Sequence, residues 1–348
     1  MKALVSGANG FTGSYLIKLL INKGYQVRGI IRENANLKLI KDLPIEPYYA
    51  DLATHSTFDD AMQDIDIVFH IGAAFRVNGV PEKYFLDVNL EGTRKLLESA
   101  KKMGVKRFVH CSTIGVQGHI KKIPSKEDDI YNAGDYYQKS KLAGEMLALQ
   151  FYKEGLPVTI IRPTGIYGPG DMRYLKLFKS INNCTFKMIG SGEVFHHLIY
   201  VEDLAEGIIL AGEKPEAVGE IFTLGGEGYL TLNELVKKIA SILDKRVASF
   251  KIPVFPVWLA GLICEVICKP FGIIPPLYRR RVAFFVKDRA FDITKAKRML
   301  GFKPKVDINE GLRQTAEWYK KEGYLIYLVY YIFDEAFYSI PLFLNQMY

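Results

Sequence analysis

An apolar run, Lys2-Ala3-Leu4-Val5-Ser6, passes directly into Gly7-Ala8-Asn9-Gly10-Phe11-Thr12-Gly13, and from Ser14 to Asn22 apolar residues recur at helical spacing. A buried strand, a glycine turn and a helix in immediate succession is how a doubly wound parallel sheet begins. Glycines in the turn let the backbone approach a pyrophosphate, and the helix start offers free N–H groups and the positive end of its dipole. Gly7, Asn9, Gly10, Phe11, Thr12 and Gly13 are therefore candidate dinucleotide-binding residues. The spacing is G-x-x-G-x-x-G rather than G-x-G-x-x-G, so taken alone the stretch also fits an ordinary glycine-rich turn.

Tyr25 to Ile31 reads as the second strand, and the residues after it bear on which dinucleotide fits. A site preferring NAD places an acid there, roughly 20 residues past the glycines, to hold the ribose 2′-hydroxyl. Here Arg32 follows Ile31, and an arginine suits a 2′-phosphate. NADP is the expected cofactor; Glu33 leaves room for NAD, and a solvated arginine is the plain alternative. Asp51-Leu52 closes the third strand, and Asp66 to His70 forms the fourth. That strand continues into Ile71-Gly72-Ala73-Ala74, small enough for a cofactor to lie against the backbone. A helix with Asn89 near its start runs to about Lys102. Arg107 to Cys111 is the next strand and ends in Ser112-Thr113, at the sheet edge where ligands sit in open α/β folds. Val158 to Ile161 forms a sixth strand, ending in Arg162-Pro163.

Between the last two strands lies Tyr137-Gln138-Lys139-Ser140-Lys141. On a helix, Tyr137 and Lys141 share a face. A free phenol has a pKa of about 10. A neighbouring ammonium favours the phenolate and draws that value toward neutrality, making an acid/base pair. Such pairs are also ordinary solvated surface, so the glycine turn is what gives this one a use.

In order along the chain, Gly7/Gly10/Gly13, Asp51, His70 to Ala74, Asn89, Ser112-Thr113, Tyr137/Lys141 and Arg162 to Gly170 resemble the extended short-chain dehydrogenase/reductases, the epimerase/dehydratase-like superfamily. The likeness covers roughly residues 1–325, with Leu198 to Asp203, Phe222 to Gly226 and Glu310 to Tyr319 as its later pieces. It implies a Rossmann doubly wound parallel α/β sheet with a smaller C-terminal substrate-binding lobe. Residues 1–165 and 197–224 would form the cofactor domain, 166–196 and 225–324 the substrate lobe, and 325–348 an apolar-aromatic tail. The implied catalytic residues are Tyr137 as general acid/base, Lys141 lowering its pKa and holding the nicotinamide ribose, and Thr113 polarising the substrate oxygen. Asp51 would contact the adenine and Asn89 would order the cofactor side, although capping or turn chemistry also accounts for both. Leu52, Ala73, Ala74, Ser112 and Pro163 complete the cofactor wall. A homodimer through the helices bearing Asn89 and Tyr137 is also implied.

Two departures narrow the branch. Thr113 is followed by Ile114-Gly115, not by the acidic pair of sugar-nucleotide 4,6-dehydratases. His196-His197 stands where nucleotide-sugar epimerases carry Arg-Asp, and a neutral imidazole replaces a bidentate guanidinium poorly; a structural role for both histidines is as good a reading. The resemblance is thus to the 3β-hydroxysteroid dehydrogenase and dihydroflavonol reductase branch. It implies secondary alcohol/ketone chemistry on a hydrophobic, sterol- or terpenoid-like substrate; epimerisation of a nucleotide sugar with tightly bound NAD is the alternative. The largely apolar Ile252 to Ile274 reads first as a core helix, and also as a pocket wall or an interfacial segment.

A net charge of +8, spread along the chain, suits phosphate-bearing cofactors or an anionic membrane surface. No nucleic-acid motif accompanies it. Cys111, Cys184, Cys264 and Cys268 fit neither a disulfide framework nor a metal site. With no signal peptide ahead of the first strand, the expected location is cytoplasmic, with peripheral membrane contact open.

Overall fold

Strand β1 (Lys2–Ser6) buries Ala3, Leu4 and Val5 completely, as a central parallel strand covered on both faces must. The computed structural model describes residues 1–75, 80–248, 250–268 and 279–325. The glycine turn leads into α1 (Phe11–Asn22), followed by β2 (Gln26–Ile31), β3 (Glu46–Tyr49) and β4 (Ile67–His70). Next, α2 (Glu82–Leu86), a π-type turn at Asp87–Glu91 and α3 (Gly92–Lys102) run on without a break. Then come β5 (Arg107–Cys111), α4 (Tyr136–Lys153), β6 (Val158–Pro163), β7 (Gly165–Tyr167), α5 (Leu175–Asn182) and β8 (Met188–Ile189). The remainder is β9 (Phe195–Tyr200), α6 (Val201–Glu213), β10 (Ile221–Leu224), β11 (Tyr229–Thr231), α7 (Leu232–Ile242), β12 (Lys251–Ile252), α8 (Val254–Cys268), α9 (Arg279–Val286), α10 (Thr294–Leu300) and α11 (Ile308–Lys321).

Seven parallel strands form the main sheet in the order β10-β6-β5-β4-β1-β2-β3. Chain direction through the sheet reverses between β1 and β4, and a crevice opens beyond the strand ends at such a switch point. One face is covered by α1, α6 and α10 through Leu16, Leu20, Ile208 and Leu300. The other is covered by α3 and α4 through Leu96, Leu97, Leu147 and Phe151. β3 is the edge strand, which is why Pro47, lacking an N–H, is tolerated in it. A second core, around Phe178, Leu198, Leu235, Ile239 and Tyr319, joins α5, α7 and α11 to a three-stranded sheet ordered β11-β9-β7.

Several expectations are corrected. The third strand stops at Tyr49, short of Asp51-Leu52, because the Asp51 carboxylate accepts from the Ala53 N–H (2.8 Å) and turns the chain. Asn89 lies in the π-type turn within a helical run that began at Glu82, not near a helix start. The sequence sets no expectation for the pairing of β9, which joins β7 and β11 in the smaller sheet while β10 takes the edge of the main sheet beside β6. Helix α8 is not a core helix. Only Gly261 is buried, while Phe255, Ile263 and Val266 are 68%, 50% and 63% exposed. It is apolar on nearly every side, so its sequence period carried no information on which face to cover. Residues 269–278 and 326–348, including most of the apolar-aromatic tail, lie outside the described residues. Among the described residues, no helix is long and apolar enough to cross a membrane.

Candidate active site

At the switch point Gly7 has φ +72°, and a Cβ there would lie 2.7 Å from Gly72 Cα, at the end of the adjacent β4. A Cβ on Gly13 would lie 2.1 Å from the Gly7 carbonyl oxygen. Both positions therefore require glycine: one for a tight turn, the other for close helix packing. Gly10 precedes α1 with extended geometry and no side-chain cap, so the first N–H groups of the helix are offered to the crevice. Asn9 Nδ2 donates to the Asn36 carbonyl (3.3 Å), joining the turn to the loop in which exposed Arg32 stands. Phe11 packs edge-on against Tyr15, beside Gly170, and the Tyr15 hydroxyl donates to the Pro169 carbonyl (2.9 Å). Thr12 sits in the first turn of α1.

Past β4, Asn89 acts as a clamp. Its Oδ1 accepts from the Ala74 N–H (2.8 Å), and its Nδ2 donates to the Ala74 carbonyl (3.1 Å) and to Ser140 Oγ (2.9 Å). This buried amide thereby ties the Ala73-Ala74 loop to α4. Leu52 lies against both Gly72 and Gly92.

Helix α4 opens with a capping box, the Asp135 carboxylate accepting from the Gln138 N–H (2.8 Å) and Gln138 Oε1 accepting from the Asp135 N–H (3.4 Å). The cap sets Tyr137 in the first turn, where its ring meets Phe75 edge-on at 4.8 Å and its phenol lies near the Thr113 hydroxyl, which favours the phenolate. One turn on, Lys141 is fully buried, and its Nζ has no hydrogen-bond partner among the described residues. A buried ammonium without acceptors is costly, and the hydroxyls of a nicotinamide ribose are the acceptors it fits. Together with the glycine cradle, the residues present suit a dinucleotide. The expected lowering of the phenol pKa is not what the protein groups produce. Burial pushes the Tyr137 phenol up, followed by the Cys111 sulfur, against the Thr113 hydroxyl and the Arg173 charge. Burial likewise lowers the Lys141 ammonium. Arg173 escaped the sequence reading because it sits in a loop outside every motif.

Beneath this constellation runs a buried ionic network. Glu145 and Arg162 are both fully buried and paired at 2.6 Å. Ser112 Oγ and Tyr131 Oη donate to the same carboxylate, the latter at 2.9 Å. The hydroxyl of Ser112 is thus turned into the network. Pro163 ends β6, buried opposite Leu224 of β10.

His196 and His197 are both buried and bound to backbone: His196 Nε2 to the Phe284 carbonyl (3.1 Å) and His197 Nε2 to that of Gly226 (2.9 Å). In the main sheet, His70 bridges Ser6 (2.6 Å) and Thr93 (2.8 Å), while neither ring nitrogen of its neighbour His110 has a hydrogen-bond partner among the described residues. Burial and the Lys141 charge hold His70 down at about 3, and His110 is lowered by the same causes. The unfolded chain therefore binds protons that the folded one refuses, so this stabilisation is present above pH 6.5 and is lost as pH falls below it. For His70 alone the expected loss between pH 7 and pH 5 is about 2 kcal/mol. Urea denaturation at the two pH values measures it. His110→Leu, which removes two unpartnered nitrogens, is expected to shrink the acid loss without destabilising at pH 7; an unchanged loss would refute the assignment.

A cleft of about 450 Å³ opens at Tyr137, walled by Tyr136 and Lys139 of α4, Phe85 of α2, and Trp258 and Glu265 of α8. Sequence reasoning had found Tyr137 and kept a pocket-wall role for the α8 segment open, but could not join the two.

Comparison with known proteins agrees with this geometry. The NAD dependent epimerase/dehydratase family profile matches residues 3–225. N-acetyl-alpha-D-glucosaminyl-diphospho-ditrans,octacis-undecaprenol 4-epimerase of Escherichia coli O157:H7 is 27% identical over 90% of this chain and 94% of its own. A putative dihydroflavonol 4-reductase of Synechocystis is 25% identical over 92% of this chain and 95% of its own. UDP-glucose 4-epimerase of Thermotoga maritima, solved with UDP-glucose, superposes with a TM-score of 0.74 at 25% identity, over 92% of this chain and 99% of its own. The fold, the glycine cradle and these relatives agree: the chain belongs to the NAD dependent epimerase/dehydratase family and is an NAD(P)-dependent enzyme of the extended short-chain dehydrogenase/reductase superfamily.

Proposed function

We propose that this enzyme interconverts a secondary alcohol and a ketone on a hydrophobic substrate, with Tyr137 as the general acid/base. The observation that carries the reading is the buried Lys141 ammonium, without a hydrogen-bond partner among the described residues, one helical turn from Tyr137, which lines a cleft whose walls include Phe85 and Trp258. Tyr137 Oη takes the hydroxyl proton as the alcohol is oxidised and returns it on reduction, while Thr113 orients the substrate oxygen. A bound nicotinamide supplies the hydride acceptor or donor. Lys141 holds the ribose hydroxyls and keeps a positive charge one helical turn from the phenol. Asn89 acts by positioning, through Ala74 and Ser140. Gly7, Asn9, Gly10, Phe11, Thr12, Gly13, Asp51, Leu52, Ala73, Ala74, Ser112 and Pro163 make up the rest of the cofactor wall. In this reading residues 1–165 and 197–224 serve the cofactor, and 166–196 and 225–324 serve the substrate.

Arg32, exposed just past β2, supports a preference for NADPH. Titration by nicotinamide fluorescence is expected to show NADPH binding about tenfold or more tightly than NADH, with Arg32→Ala erasing the difference. Equal or tighter binding of NADH by the wild type refutes the preference. The names of the epimerase relatives favour a second reading, sugar 4-epimerisation with a cofactor that stays bound. Against it, both histidines at the Arg-Asp positions are buried and bound to backbone carbonyls, and burial lowers the pKa of both imidazoles, which disfavours the charged form a diphosphate would need. Co-purified NAD(H), with turnover independent of added cofactor, would favour epimerisation. The homodimer belongs to this reading through the α3–α4 face, where Leu90, Met146, Leu149 and Tyr152 line a groove. Sedimentation velocity of Met146→Glu is expected to give a monomer from a wild-type dimer; a monomeric wild type, or a variant that stays dimeric, rejects this interface.

A further inference from the structure

Helix α8 presents to solvent an uninterrupted apolar stripe of Phe255, Trp258, Leu259, Ile263, Val266 and Ile267. The offsets from Phe255 (i+3, i+4, i+8, i+11, i+12) keep all six within one half of the helix surface, along about 18 Å of its length. The only acid among its 15 residues, Glu265, lines the Tyr137 cleft instead. Single exposed apolar residues need no explanation, but a contiguous stripe of six does.

We infer that α8 docks on an anionic phospholipid surface, lying in the plane of the interface with this stripe among the acyl chains, and so sets the mouth of the Tyr137 cleft against the bilayer. The 15 described residues of the helix are too few to cross a membrane, and an in-plane arrangement suits a helix with one exposed apolar face. Trp258 is the side chain best suited to the headgroup boundary. Helix α9 packs against α8 and opens with Arg279-Arg280-Arg281, and the chain as a whole carries +8. An apolar helix beside a basic run supplies the two signals that stable interfacial binding takes. Because Trp258 and Glu265 also line the cleft, a substrate partitioned into the bilayer reaches Tyr137 without crossing water. The substrate class that follows is a membrane lipid or lipid-linked alcohol; this last step rests on the function proposed above, while the docking does not.

The test uses the full chain and sucrose-loaded vesicles of phosphatidylcholine, with or without phosphatidylglycerol. The wild type is expected to sediment with the anionic vesicles, several-fold less at high salt, where the charge contribution is screened. The triple variant Phe255→Ser/Ile263→Ser/Ile267→Ser, altered only at exposed positions, should lose at least about tenfold in binding while keeping its thermal midpoint and NADPH affinity. The chain has two tryptophans, so Trp318→Phe leaves Trp258 as the sole reporter, and brominated lipid should quench it. No binding to anionic vesicles, binding unchanged in the triple variant, or a wild-type self-association that the triple variant abolishes would each overturn the inference. Vesicle binding is read without turnover, so failure of the redox reading shows separately, as a loss of cofactor binding or activity.

Discussion

Tyr137→Phe is expected to cut turnover by about a thousandfold while leaving the nicotinamide titration unchanged, as removal of a positioned proton-transfer group does. The ring keeps its edge contact with Phe75 and the helix keeps its capping box, so the fold has no reason to change. What disappears is the hydroxyl that meets Thr113. Thr113→Ala tests the neighbouring hydroxyl and should cost less, because it removes orientation and leaves the proton carrier. The two measurements belong together: lost turnover with intact binding assigns chemistry to Tyr137. A Tyr137→Phe enzyme that retains most of its activity would remove the acid/base role from Tyr137.

The second large effect concerns stability. Glu145→Leu leaves the Arg162 guanidinium fully buried without its carboxylate, and Arg162→Met strands Glu145 in the same way. Each single variant is expected to lose about 3–5 kcal/mol in denaturant unfolding, whereas the double variant should recover most of that loss, since a buried pair replaced by apolar groups is often neutral. The recovery will be incomplete because Ser112 and Tyr131 also donate to this carboxylate. Singles costing under about 1 kcal/mol, or a double as poor as the sum of its singles, would show that the pair is not the tie between β5, β6 and α4 described above.

Much of this architecture was legible before any coordinates because it rests on local chemistry. The strand, glycine turn and helix at the N-terminus, the Tyr137–Lys141 spacing and the run from Arg107 to Thr113 each depend on neighbours within a few residues. The features that eluded sequence reasoning depend on groups far apart in the chain. Asn89 clamps Ala74 to Ser140, 15 positions before it and 51 after. Glu145 gathers Ser112, Tyr131 and Arg162 from three separate segments. Arg173 acts on Tyr137 from a loop that carries no motif. Even the direction of the phenol shift needed the third dimension, since the depth of burial decides it and helical spacing says nothing of depth.

Helix α8 marks the boundary most clearly. Its sequence specifies an apolar helix, because an apolar residue satisfies helical geometry on any face. Which face is buried is a competition among the surfaces available in the folded chain, and here the body of the protein buries Gly261 and half-covers Val257, Leu262 and Cys264, leaving the stripe from Phe255 to Ile267 open. By itself, then, the sequence determined the doubly wound sheet, the glycine turn that opens it and the placing of Tyr137 and Lys141 on one helical face, all set by short-range periodicity and backbone stereochemistry. Only the tertiary structure decided which polar groups are committed to the core and which apolar surface remains open beside the cleft. Burial and long-range pairing belong to the assembled chain and to no single stretch of it.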